Sequence, residues 1–123
     1  MLAIALAILA LTAPTQLHVR QVVPPGSPRP DEGWIPYIRV VRPDGSAVVQ
    51  RRLNRTKWPL YADVRLSPGR YRLVSWQRIC DANCGNLDPP SDRCARWFRI
   101  HRGQTLKATI TVTFGSGCRI RWG

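Results

Sequence analysis

The four cysteines carry the most definite chemistry in this 123-residue chain. Cys80, Cys84, Cys94 and Cys118 all stand after residue 79. An even count behind an apolar leader reads as two disulfides. Zinc is disfavoured, because structural zinc sites usually present two close ligand pairs and only Cys80 and Cys84 are close here. Three pairings are open; the reading inclines to Cys84–Cys94 inside one loop, with Cys80–Cys118 tying two strands together. A bridge typically contributes about 2–4 kcal/mol, which matters in a domain with a small core.

The loop between these cysteines, CDANCGNLDPPSDRC, holds Asp81, Asp88 and Asp92 in a chain otherwise dominated by Arg. Asp81, Asn83 and Asp88 are spaced faintly like a calcium loop, which needs several converging oxygens. No Glu closes the pattern as an EF-hand requires. The simpler expectation is a turn-rich loop whose Asp and Asn cap turns and pair with Arg78 or Arg93. A recognition loop is the third reading, since loops on rigid sandwiches often bind partners.

Other reactive residues make weaker sets. His18 and His101 are the two histidines, and Ser75 and Ser91 are candidate hydroxyls only because serine is common. A triad needs three converging groups, and no nucleophile-elbow motif is present. A paired-carboxylate mechanism would need two acids on one cleft, for which Asp63 and Asp81 can be named without further support, and a hydrolase would have its site at the Cys-rich loop end. No cofactor motif is found.

Basic residues outnumber acidic ones, 19 to 7. Lys57 and Lys107 are the only lysines, so the excess is almost all Arg. These Arg recur singly between apolar residues, as solvated strand positions do, and not as a basic tail. Trp97 alternates out of phase with Phe98 and Ile100, which places it on an outer face beside Arg99. Arg96, Trp97, Arg99 and Arg102 are therefore the candidate contacts for an anionic glycan or other polyanion. No RNA-binding aromatic motif accompanies them, so nucleic acid is disfavoured.

Short strands must position these residues. Residues 2–11, LAIALAILAL, are uninterruptedly apolar, about half of the ~20 residues that span a bilayer. With Ala13-Pro14-Thr15 following, residues 1–13 read as a signal peptide. No other segment is long enough to cross a membrane as a helix. Residues 16–123 read as one β-sandwich domain. Strands are expected over Gln16–Val23, Trp34–Arg42, Ala47–Leu53, Tyr61–Leu66, Arg70–Cys80, Cys94–His101, Leu106–Phe114 and Cys118–Trp122. A Pro-rich loop, 24–33, and the Cys-rich loop, 80–94, interrupt them. Pro43-Asp44-Gly45 makes a hairpin turn. Leu106, Ala108, Ile110, Val112 and Phe114 face in while Lys107, Thr109, Thr111 and Thr113 face out, the alternation of an antiparallel sheet with one wet face. The expected fold is all-β: a single antiparallel β-sandwich of about seven strands, disulfide-stapled in its C-terminal half.

Two segments carry a resemblance. Val40-Val41-Arg42-Pro43-Asp44-Gly45 and Leu66-Ser67-Pro68-Gly69-Arg70-Tyr71-Arg72-Leu73 resemble transthyretin-like (prealbumin-like) sandwiches, including carboxypeptidase regulatory-like and Cna protein B-type domains. The second segment matches the L-x-P-G-x-Y pattern, and the resemblance implies that Pro and Gly make a turn while Tyr71 enters the core. Lys57 sits in an expected loop and no Asn follows Asn86, so a Lys–Asn isopeptide crosslink is not carried over. The Cys80–Cys94 loop also resembles that of a group of small secreted actinobacterial proteins, which brings no activity with it. The resemblance implies a non-catalytic module.

The sequence thus leads to a secreted, non-catalytic sandwich acting as an interaction or structural module at the cell envelope, with a protein or an envelope glycan as its partner. A polyanion binder is the first alternative and a hydrolase the second.

Overall fold

The computed structural model describes residues 13–30, 33–53, 59–81 and 83–123. Leader residues 1–12, Lys57 and Trp58 lie outside the described residues. Nine strands are present: β1 Gln16–Val22, β2 Trp34–Val41, β3 Ala47–Arg52, β4 Leu60–Arg65, β5 Gly69–Asp81, β6 Asn83–Leu87, β7 Ser91–Ile100, β8 Thr105–Thr113 and β9 Gly117–Trp122. There is no helix among the described residues, so none that could cross a membrane.

The strands form two sheets. One has the order β4-β1-β8-β9. The other runs β3-β2-β5, and the far side of the 13-residue β5 takes β7 along Gly69–Gln77 and β6 at Cys80–Asp81. The all-β sandwich agrees with the sequence reading, but it has nine strands where about seven are expected, β6 standing inside the expected Cys-rich loop, and one pairing is not antiparallel. β1 and β8 pair in parallel, Leu17 opposite Leu106 and Val19 opposite Ala108. Alternation along β8 reports one wet face, not the direction of the neighbour. Two strands from opposite ends of the chain can therefore pair in parallel without changing the pattern.

Alternation puts Leu17, Val19, Ile38, Val40, Leu73, Phe98, Ile100, Ala108, Ile110, Val112 and Ile120 into one continuous core between the sheets. Tyr71 joins it, and its hydroxyl donates to the Ser67 carbonyl oxygen at 2.7 Å. The Pro68-Gly69 bend is thus fastened to the core by the ring two residues later. Gly45, at φ +89°, holds the left-handed position in the β2–β3 turn, where a side chain would be strained. The Asp44 carboxylate accepts from the Ser46 amide and hydroxyl in the same turn.

The disulfides form, but not in the pairing the sequence reading favoured. Cys80 bonds Cys84, and Cys94 bonds Cys118. The expected Cys-rich loop is the reason: β5 continues to Asp81 and turns straight into β6, and β7 begins at Ser91. Cys80 and Cys84 therefore lie at one hairpin end, with Cα atoms 4.5 Å apart. Cys94, opposite Ser75 on β7, faces β9 of the other sheet instead. The Cys94–Cys118 bridge joins the two sheets along the β7 and β9 edges. Arg96 crosses the same seam and donates to the Ile120 carbonyl at 2.8 Å.

Candidate functional site

The larger sheet has an outer face built of cross-strand rows. On β5, Arg70, Arg72, Val74, Trp76 and Arg78 point away from the core, because Tyr71, Leu73, Ser75 and Gln77 point into it. Register then sets the neighbours. Arg70 stands opposite Arg99, and Arg72 opposite Trp97 on β7 and Val41 on β2. Val74 is flanked by Arg39 and Ala95. Trp76 is paired with Tyr37, and Tyr37 in turn with Arg52 on β3. Arg93 joins where β7 bulges opposite Trp76. Seven arginines (39, 52, 70, 72, 78, 93 and 99) so share one face, and its outward strand positions carry no carboxylate among the described residues.

Aromatic rings order the guanidiniums. The Arg70 guanidinium carbon lies 4.6 Å from the centroid of the Trp97 ring and that of Arg72 5.9 Å, within cation–π range. Trp97 is 41% exposed. Tyr37 and Trp76 stack nearly parallel, at 3° and 5.5 Å, and Arg52 lies over the Tyr37 ring at 5.7 Å. Tyr37 and Trp76 pack with Ile35, Cys80 and Leu87 in a small second apolar cluster on this same face. Arg78 is pinned as well, donating through Nε to the Asp88 carbonyl and through Nη2 to the Leu87 carbonyl. Between these groups is a cleft of about 680 Å³ lined by Tyr37, Arg39, Gln50, Arg51, Arg52, Trp76, Arg78, Pro90 and Arg93.

This arrangement keeps part of the sequence-derived contact set and replaces the rest. Trp97 and Arg99 lie on the basic face as expected. Arg96 does not: it shares the phase of Phe98, sits over Trp122 and turns into the seam between sheets. Arg102 lies in the β7–β8 turn. The partners that complete the face, Arg39, Arg52, Arg70, Arg72, Arg78 and Arg93, come from other strands. Alternation marks Arg70 and Arg72 against Tyr71 and Leu73, and Arg39 against Ile38 and Val40, as outward; the rest follow from register alone.

The remaining candidates do not assemble into a reactive set. His18 Nδ1 meets Asp63 Oδ1 at 2.6 Å and its ring stacks on Tyr61, on the outside of the smaller sheet. Ser75 is buried on the inner face of β5, so the core and the smaller sheet separate it from His18. Ser91 donates to the Gln77 carbonyl at 3.4 Å, and His101 is exposed at the end of β7. Asp63 is thus paired with a histidine. The Asp81 and Asn83 side chains, and with them most of the calcium set, lie outside the described residues. Asp88 is exposed and uses its backbone to hold Arg78. Among the described residues no group of His, Cys, Asp and Glu is placed to hold a metal ion. Asp92 caps a turn, accepting through Oδ1 from the Gly115 and Gly117 amides at 3.0 and 2.9 Å.

No protein family, curated protein or solved structure matches this chain.

Proposed function

We propose that this chain is a non-catalytic binding module that holds an anionic glycan on the outer face of its larger sheet, outside the cell or at its envelope. The observation that carries the reading is the single-sign face: seven arginines, four of them held by a ring or a carbonyl, with no carboxylate at its outward strand positions among the described residues. Like charges so placed repel one another, and a polyanion laid across them relieves that repulsion. The aromatic rings favour a glycan over bases. Tyr37 lies between Arg52 and Trp76, and Arg70 lies over Trp97, whereas base recognition needs open ring faces for stacking. Two disulfides suit an oxidising compartment, as does a leader-like N-terminal run. Tyr71 anchored behind Pro68-Gly69 supports grouping the fold with transthyretin-like modules.

Retention on immobilised heparin or dextran sulfate tests this reading. Replacing Arg70, Arg72 and Arg99 by Gln should abolish most retention. Replacing Arg20, Arg65 and Arg119, which lie on the other sheet, removes the same charge and should leave retention nearly intact. Equal loss in both variants would reduce the effect to net charge and sink the proposal.

A further inference from the structure

Within this face, one spot has the properties of a built site. Arg39, Arg52, Arg78 and Arg93 come from four different strands and line the same cleft. Among the described residues none of the four is ion-paired. Arg78 is fixed by the Leu87 and Asp88 carbonyls and Arg52 is held over Tyr37, so two guanidiniums are already positioned. The Nε of Arg39 is buried and meets no acceptor among the described residues. An unpaired buried donor is unfavourable, and more so on a charged group. An acceptor that draws the Arg39 guanidinium into the cleft removes that penalty.

We infer that the Arg39 cleft is a discrete seat for a tetrahedral oxyanion, a sulfate or phosphate ester on the bound glycan. Guanidinium forks bind oxyanions in a bidentate manner. A planar carboxylate offers two oxygens in one plane, which suits one fork. A tetrahedral ester offers three terminal oxygens in different directions, which suits forks arriving from β2, β3 and β7. The Tyr37 and Trp76 rings form an apolar wall that strengthens the local field.

The inference rests on the polymer-binding reading, but its test needs no polymer. Inorganic sulfate, inorganic phosphate and acetate are titrated into the intact protein at constant ionic strength. The arginine Nε–Hε resonances are followed by NMR. Sulfate or phosphate should give saturable shifts centred on Arg39, with acetate at least about tenfold weaker, the difference of one charge-assisted hydrogen bond. Which of the two anions binds tighter then identifies the ester. Arg39→Gln should weaken the binding about tenfold or more. Should that variant fail to fold, Arg93→Gln carries the same expectation, since Arg93 is exposed. Uniform, non-saturating shifts over all arginines, or wild-type binding in the Arg93→Gln and Arg39→Gln proteins, would overturn the seat. Polymer retention surviving in that case would leave the wider face standing. Saturable sulfate binding without polymer retention would support the seat and remove the polymer.

Discussion

Gln21 and Gln77 meet across the interior of the sandwich, each amide donating to the other's oxygen over 3.4–3.5 Å with both residues fully buried. They are the polar link between β1 of one sheet and β5 of the other. Gln21→Ala leaves the Gln77 amide without its partner and should cost about 1–3 kcal/mol beyond lost packing. Changing both to Leu keeps the shape and removes both polar groups, so it should recover most of that loss. A double-mutant cycle by chemical denaturation reads the coupling; strictly additive losses would show that the pair is not coupled. Ser75 offers a contrast on the same strand, because its buried Oγ has no hydrogen-bond partner among the described residues. Ser75→Ala should be stabilising, by about 1 kcal/mol.

The two disulfides should differ in weight. Cys94–Cys118 closes a separation of 24 residues and Cys80–Cys84 one of 4. The loop-entropy relation gives about 3 kcal/mol for the first and about 2 kcal/mol for the second. Paired replacement of Cys94 and Cys118 by Ala should therefore lower the melting temperature more than paired replacement of Cys80 and Cys84. The reverse order would mean that the hairpin end, not the seam between sheets, limits stability.

Asp92 is the one described non-glycine residue with a positive φ, 50°, a conformation Asp tolerates better than most residues. It holds the β8–β9 turn through two backbone amides. Asp92→Ala loses both charge-assisted bonds and keeps the backbone strain, so it should destabilise by about 2–3 kcal/mol. Asp92→Asn keeps an acceptor and should lose less. Hydrogen exchange at the Gly115 and Gly117 amides should rise in the Ala variant; unchanged exchange would show that the turn holds itself.

Asp44 provides a pH signature. The Ser46 hydroxyl, then the Ser46 amide and more weakly Arg42, hold its carboxyl below the ordinary carboxylate value. A depressed folded value means that the turn gains stability above the unfolded value and loses it as pH falls through the folded one. Ser46→Ala removes the largest cause, so the Asp44 midpoint read by carboxyl-carbon NMR should move up. An unmoved midpoint would assign the shift to the backbone and Arg42.

Much of the fold was legible because alternation records burial. The Leu106–Phe114 stretch and the Pro43-Asp44-Gly45 turn follow from local pattern and turn chemistry, and the entry of Tyr71 is what the resemblance of its segment implied. The cysteine pairing was not legible, because Gly85 and Pro89-Pro90 suggest a loop where β6 and the start of β7 stand. The parallel β1–β8 ladder was hidden because side-chain alternation is blind to the neighbour's direction. The basic face was legible only in fragments. Trp97 and Arg99 could be placed outward from β7 alone, but that Trp97 stands opposite Arg72, and Tyr37 between Arg52 and Trp76, depends on register between distant strands.

The parallel ladder between β1 and β8 also sets an order of assembly. β1 can find β4 once the middle of the chain is made, but its other edge stays open until β8 exists. Contacts this distant in sequence close slowly, and an open strand edge invites pairing with other chains. Of the described strands, β1 thus waits longest in the chain for the partner on its second edge. Chains cut short before Thr105 should display it as a sticky border, one that β8 covers in the folded protein.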